Sequence, residues 1–173
     1  PKPFQGPRPP IWIGAFAPKA MERALDYEGW CLWFPPHLDI LAPAVADMRQ
    51  RASDKGKTDF QITIGFEGWL GDDPKLREKH VHRWVREWSF YADNGLSPEA
   101  ESKDMAEQVE SMFVCVGNKQ KWIDRMSEMK ERANPDWLCI RTRNPKNGSE
   151  FYPSRSECLD VIEAFGEILD ELR

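Results

Sequence analysis

Short apolar runs alternate along the chain with segments in which apolar residues recur at helical spacing. Ile11-Trp12-Ile13-Gly14 is the first run, bounded by prolines before it and a small-residue turn after it, and Ala20, Met21, Ala24 and Leu25 then return every three or four positions. That order predicts a strand followed by a helix over Pro18 to Tyr27. Trp30 to Phe34 is a second run, stopped by Pro35-Pro36; Leu41, Ala44, Val45, Met48 and Ala52 follow at helical spacing behind Asp39, the predicted N-cap. A third strand, Phe60 to Phe66, is rich in β-branched and aromatic residues. A helix starting near Pro74, with Val81, Trp84, Val85 and Trp88 on one face, is predicted after it.

Beyond Tyr91 the pattern lapses into a polar stretch, residues 93–108, which contains Asn94-Gly95 and reads as an insertion loop. Met112 to Val116 is a short strand candidate, and Trp122, Ile123, Met126 and Met129 mark an amphipathic helix behind Asn118. Trp137 to Thr142 is the last strong strand. Ser154 to Glu157 has the form of a capping box, and Cys158, Ile162, Phe165, Leu169 and Leu172 carry a final helix. Strands apolar throughout, separated by amphipathic helices, imply an α/β protein with a parallel sheet built from βα repeats. An open doubly wound sheet and a (βα)₈ barrel both fit that alternation. A barrel needs eight strands and about 250 residues, and the four main strands here are half of that number.

Composition narrows the function classes. The chain has 173 residues, 24 Lys and Arg against 29 Asp and Glu, a net charge of −5 and 40% apolar residues, which suits one globular domain at most. Its longest apolar runs fall far short of the ~20 residues of a membrane-spanning helix, and no basic arm or stripe points to nucleic acid. Cys31, Cys115, Cys139 and Cys158 lack Cys-x-x-Cys spacing, so buried reduced thiols in a cytoplasmic protein are expected, with no metal site. His80 and His82 stand two apart and so point to different helix faces. No Walker-type loop, nucleophile elbow or paired-carboxylate motif supports hydrolysis or phosphoryl transfer. The chain opens on Pro1 without a methionine, and residues 1–10 read as a proline-rich linker cut on its way into the first strand. Eight tryptophans add to the question of whether this is a whole domain.

Several stretches together resemble the luciferase-like monooxygenase superfamily, which includes bacterial-luciferase-type flavin enzymes and deazaflavin-dependent oxidoreductases. Pro9-Pro10-Ile11-Trp12-Ile13-Gly14, the Ala20 to Ala24 helix and Gly29-Trp30 follow its first signature. Val109 to Gly117 with the following helix, and Asp136-Trp137-Leu138-Cys139-Ile140-Arg141, follow two more. The resemblance spans nearly all of residues 1–173. It implies that Ile11 to Gly14, Trp30 to Phe34, Phe60 to Phe66 and Trp137 to Thr142 are strands five to eight of a TIM barrel, the carboxyl-terminal half. It also implies FMN or a deazaflavin coenzyme (factor 420) as cofactor, a small organic substrate, and an amino-terminal half-barrel or self-association as partner.

In such barrels ligands sit at the carboxyl ends of the strands. The resemblance therefore assigns the cofactor phosphate to the turn Gly14, Ala15, Phe16, Ala17 and Lys19, where small residues admit close approach and a helix N-terminus follows. Ala15 and Phe16 depart from the family's smaller residues. Arg141, matching an arginine that ends the family's last strand, is a second cofactor-binding candidate, with Arg143 beside it. Glu67 reads as a solvated loop residue after the third strand, or as a partner for one of these arginines or for a ribityl hydroxyl. Trp33 and Phe34 read as core filling or pocket lining. His37 has the position of a general base but no visible partner. The expected function is the cofactor-phosphate end of a flavin-type oxidoreductase, with a non-catalytic half-barrel acting as an interaction module as the alternative.

Overall fold

The computed structural model describes residues 4–6, 8–33, 35–71, 73–75, 78, 114–142 and 155–172. The elements are β1 (Trp12–Gly14), α1 (Pro18–Ala24), β2 (Gly29–Trp33), α2 (Leu38–Asp54), β3 (Gln61–Leu70), β4 (Val114–Gly117), α3 (Lys119–Arg132), β5 (Trp137–Thr142) and α4 (Arg155–Glu171). The chain divides into two compact units: residues 1–65 with 130–139, and residues 66–129 with 140–173. Phe34, Arg143, His80, His82, the 93–108 segment, Ser154 and most of the helix expected after Pro74 lie outside the described residues, as do the side chains of Glu157 and Cys158.

In the first unit β1 pairs with β2, and β2 with the first half of β3, all parallel. Trp30 and Leu32 pair in register with Ile62 and Ile64, so these four side chains share one face and are buried. The stripe expected on α2 is realised at Leu41, Val45, Met48 and Ala52, which are buried together with Leu38, while Ala44 is only half-buried. Pro43 stands inside this helix and withholds one backbone donor.

The opposite face of the same sheet is tiled differently. Trp12 pairs with Gly29 and Trp33 with Gly65. A Cβ on Gly29 would lie 2.6 Å from the Trp12 ring, and one on Gly65 would lie 2.2 Å from the Trp33 ring. Each indole thus rests on a bare strand next door, which is why glycine stands at those positions.

The entry to β5 is docked at two points. The Asp136 amide donates to the Ile62 carbonyl at 2.9 Å, and its carboxylate accepts from the Ile62 amide at 2.7 Å. Arg49 of α2 reaches the same carboxylate at 3.2 Å and also donates to the Asn134 carbonyl. Asn134 takes the left-handed conformation, φ 46°, that asparagine tolerates better than most residues.

In the second unit the latter half of β3 pairs parallel with β4, Glu67 with Val114 through Leu70 with Gly117. Asn118 caps α3 as expected, its side-chain oxygen accepting from the Lys121 amide at 3.0 Å. Trp122 is buried, donates through Nε1 to the Trp69 carbonyl at 3.3 Å, and meets the Phe165 ring edge-on at 4.8 Å. β5 also pairs with β3.

Three expectations need correction. α1 ends at Ala24 rather than Tyr27, because Leu25, Asp26 and Tyr27 close it with amides that donate three residues back. The cap of α2 is His37, not Asp39: the His37 Nδ1 accepts from the Asp39 amide at 3.3 Å, placing Asp39 inside the first turn. β3 does not stop at Phe66 but continues to Leu70, so Glu67 is a strand residue and only 1% exposed, not a solvated loop position.

Candidate functional site

The turn after β1 is built from backbone. Gly14 is the last residue of β1, in register with Cys31. Ala15 turns its carbonyl onto the Trp30 Nε1, a hydrogen bond from a fully buried indole that fixes where the turn begins. Ala17 is extended and precedes Pro18 at the first helical position, where the missing N–H costs nothing. The Ala20 and Met21 amides both donate to the Ala17 carbonyl at 2.9 Å.

These bonds limit what the turn can offer an anion. Two amides of the first helical turn are engaged, proline has none, and α1 is only seven residues long, so its end carries little partial charge. An anion here would have to be met by amides before Pro18 and by Lys19, whose side chain is exposed. Phe16 is 41% exposed.

Gly14 differs from the other strand glycines. Among the described residues a Cβ there would meet only the Cys31 carbonyl at 3.7 Å, an ordinary contact, and its φ is not positive. Among the described residues neither packing nor backbone conformation requires glycine at position 14. Against those residues the carboxyl end of β1 has room for close approach to the chain.

Two residues on the tryptophan-bearing face were not foreseen as neighbours. Burial pushes the half-buried Cys31 thiol up, and Cys139 adds to the shift, so Cys31 is a poor thiolate nucleophile. Thr63, on the register position opposite Cys31, is 2% exposed. Trp12 and Trp137 remain 39% and 54% exposed, Trp137 donating to the Gln61 side chain at 3.0 Å.

His37 has a structural role at the start of α2. Besides capping α2, it stands 3.2 Å from the Asp39 carboxylate, which Arg132 also engages. The Arg132 hydrogen bond holds the Asp39 carboxyl below its ordinary range. His37, Asp39 and Arg132 thus meet at the start of α2.

In the second unit Glu67 and Arg141 form an ion pair. Glu67 is buried, whereas the Arg141 side chain is 39% exposed. The pairing with an arginine is one of the three readings that the sequence leaves open for Glu67. A strand taken to end at its first charged residue leaves Glu67 outside it; Trp69-Leu70, directly before Gly71-Asp72-Asp73-Pro74, is the sequence signal that β3 continues.

The sequence profile of a family described as luciferase-like monooxygenase matches residues 1–134. Among solved structures, a long-chain alkane monooxygenase (LadA) superposes with a TM-score of 0.62 at 16% identity, over 94% of this chain and 41% of that one. EDTA monooxygenase (EmoA) from Chelativorans sp. BNC1 gives 0.62 at 17% identity, over 99% and 46%. An F420-dependent secondary alcohol dehydrogenase in complex with an F420-acetone adduct gives 0.57 at 15%, over 78% and 43%. At these identities the likeness is one of fold. The chain spans less than half the length of each of these three structures.

Proposed function

Because the chain belongs to the luciferase-like monooxygenase family, we propose that it is part of a flavin- or deazaflavin-dependent oxidoreductase and contributes residues that receive the cofactor's anionic tail. The observation that carries this reading is the family match over β1 to α3, together with a glycine at position 14 that the fold itself does not require. When bound, such a cofactor supplies the redox chemistry, hydride transfer or oxygen activation at its ring.

The chain's own residues have simpler tasks. The Gly14 to Lys19 turn admits close approach of an oxygen-rich group to backbone amides, with the Lys19 ammonium adding charge. Arg141 is proposed as a separate cofactor-facing position, offering planar guanidinium donors suited to a phosphate. Equilibrium dialysis of the natural protein against FMN and against the deazaflavin coenzyme tests the reading. Stoichiometric binding of either supports it, and binding of neither overturns it.

The exposed Trp12 and Trp137 favour a second reading for the first unit. An apolar sheet face of this kind is a surface for covering by other protein, so the chain could serve as a non-catalytic module. Flavin-type binding by the natural protein decides against that reading.

A further inference from the structure

Trp30 is wholly buried on the face of β2 that it shares with Leu32, beside Ile62 of β3. For packing there a phenylalanine would serve. An indole adds an N–H, and a buried N–H costs free energy unless it finds an acceptor. The acceptor is the Ala15 carbonyl. Trp30 pairs in register with Ile13, so its side chain reaches two residues past that partner, beyond the end of β1, to make this bond.

The bond sets more than a carbonyl. The Ala15 C=O and the Phe16 N–H belong to one peptide unit, which is planar and trans, so the two point in opposite directions. With the carbonyl held on the buried indole, the Phe16 N–H is turned away from it. No acceptor among the described residues takes that amide. The helix that follows offers an anion little: α1 is seven residues long, Pro18 has no N–H, and the Ala20 and Met21 amides bond to the Ala17 carbonyl. The useful donor therefore lies upstream of the helix, in the turn itself. As a backbone group, it survives the presence of phenylalanine where a smaller residue is expected.

We propose that Trp30 is a positioning residue that, by holding the Ala15 carbonyl, aims the Phe16 amide at the anionic tail of a flavin-type cofactor. The inference rests on the reading of the Gly14 to Lys19 turn as an anion-receiving element. The indole touches no ligand and acts through one peptide plane. Without its N–H that plane loses a buried tether and rotates more freely, so ordering the amide must be met from the binding energy of the anion.

The experiment measures dissociation constants of FMN against riboflavin, and of the deazaflavin coenzyme against its phosphate-free deazariboflavin core, for the natural protein and for Trp30→Phe. Each pair shares a ring and differs by the phosphate-bearing tail. Amide resonances of the same two proteins are followed through each titration. The natural protein is expected to prefer the phosphorylated member of the pair it binds, and the Phe16 amide signal should move with that member and stay still with the phosphate-free one. Trp30→Phe keeps an aromatic ring in the core and removes the N–H. It should cut the preference by about threefold to tenfold, the range for one hydrogen bond, shrink the Phe16 response, and leave affinity for the phosphate-free member unchanged, which a merely structural role would not produce.

A Phe16 amide that responds in the natural protein, with a Trp30→Phe form that keeps the full preference or weakens both members of the pair equally, overturns the positioning role alone. A natural protein that binds neither pair, shows no preference, or leaves the Phe16 amide unmoved by the phosphorylated member overturns the reading of the turn and this inference together. Should Trp30→Phe not fold, Trp30→benzothienylalanine takes its place. It keeps the shape of the indole and puts sulfur where the N–H was, and the same fall supports the proposal while an unchanged preference overturns it.

Discussion

The turn after β1 and the pair at Glu67 and Arg141 would meet an anion in opposite ways. The turn works with backbone and empty space: small residues, a carbonyl tied to a buried indole, a lysine at the rim. The pair works with side-chain charge, one member sealed and the other part-exposed. The first can be damaged by adding atoms without harming the fold. The second cannot be altered without touching a buried charge, so stability and binding are entangled there.

The largest effect should come from breaking the pair on one side only. Arg141→Met takes the guanidinium away from the buried Glu67 carboxylate and is expected to lower stability by about 3 kcal/mol, the low end for buried pairs because the Arg141 side chain is part-exposed. Adding Glu67→Gln should recover most of that loss. Urea unfolding of the two forms checks both points; equal stability of single and double substitutions would show that the carboxylate finds other compensation.

Next come the glycines. Gly65→Ala drives a methyl into the Trp33 ring, 2.2 Å away, and should cost about 2 kcal/mol in thermal or denaturant unfolding. Gly14→Ala should change stability by less than about 0.5 kcal/mol, yet weaken FMN relative to riboflavin. If Gly14→Ala binds both flavins as wild type does, the turn is only a strand-to-helix connection and the contrast drawn above collapses. His37→Ala should cost about 0.5 kcal/mol as a lost helix cap, and a larger fall in turnover than in stability would mark His37 as a base as well as a cap.

The smallest effect concerns acid. The Arg8 hydrogen bonds and the Ile11 amide hold the Glu28 carboxyl below its ordinary range. Its folded value is then lower than its unfolded one, so its contribution is present above the unfolded value and is lost as pH falls through the folded value. Arg8→Ala should flatten this acid limb of a stability-against-pH curve without moving stability near neutrality by much.

Most of the elements were legible because their signals are local. The apolar runs and helical spacings that place β2, α2, α3 and β5 survive in the structure, as does the Asn118 cap. What escaped depended on partners distant in sequence. Glu67 reads as a loop residue until β4 and Arg141 are known to surround it, and Asp39 reads as a cap until the His37 ring takes that role. The candidate turn was legible as composition, but the spent amides of Ala20 and Met21 were not, since hydrogen-bond commitments are not written in residue type. The freedom at Gly14 became visible only beside Gly29 and Gly65, where glycine is compelled.

Asp136 fixes the start of β5 onto Ile62 across 74 positions of sequence. The entropy of closing such a span grows only with the logarithm of its length, about 0.6 kcal/mol for each doubling. The dock itself is made of two backbone-directed bonds and one arginine, none of which depends on how much chain intervenes. The strand's location is thus uncoupled from the size of its connection. Variation in what this protein presents between β3 and β5 can accumulate by insertion while the register at Ile62 stays where it is.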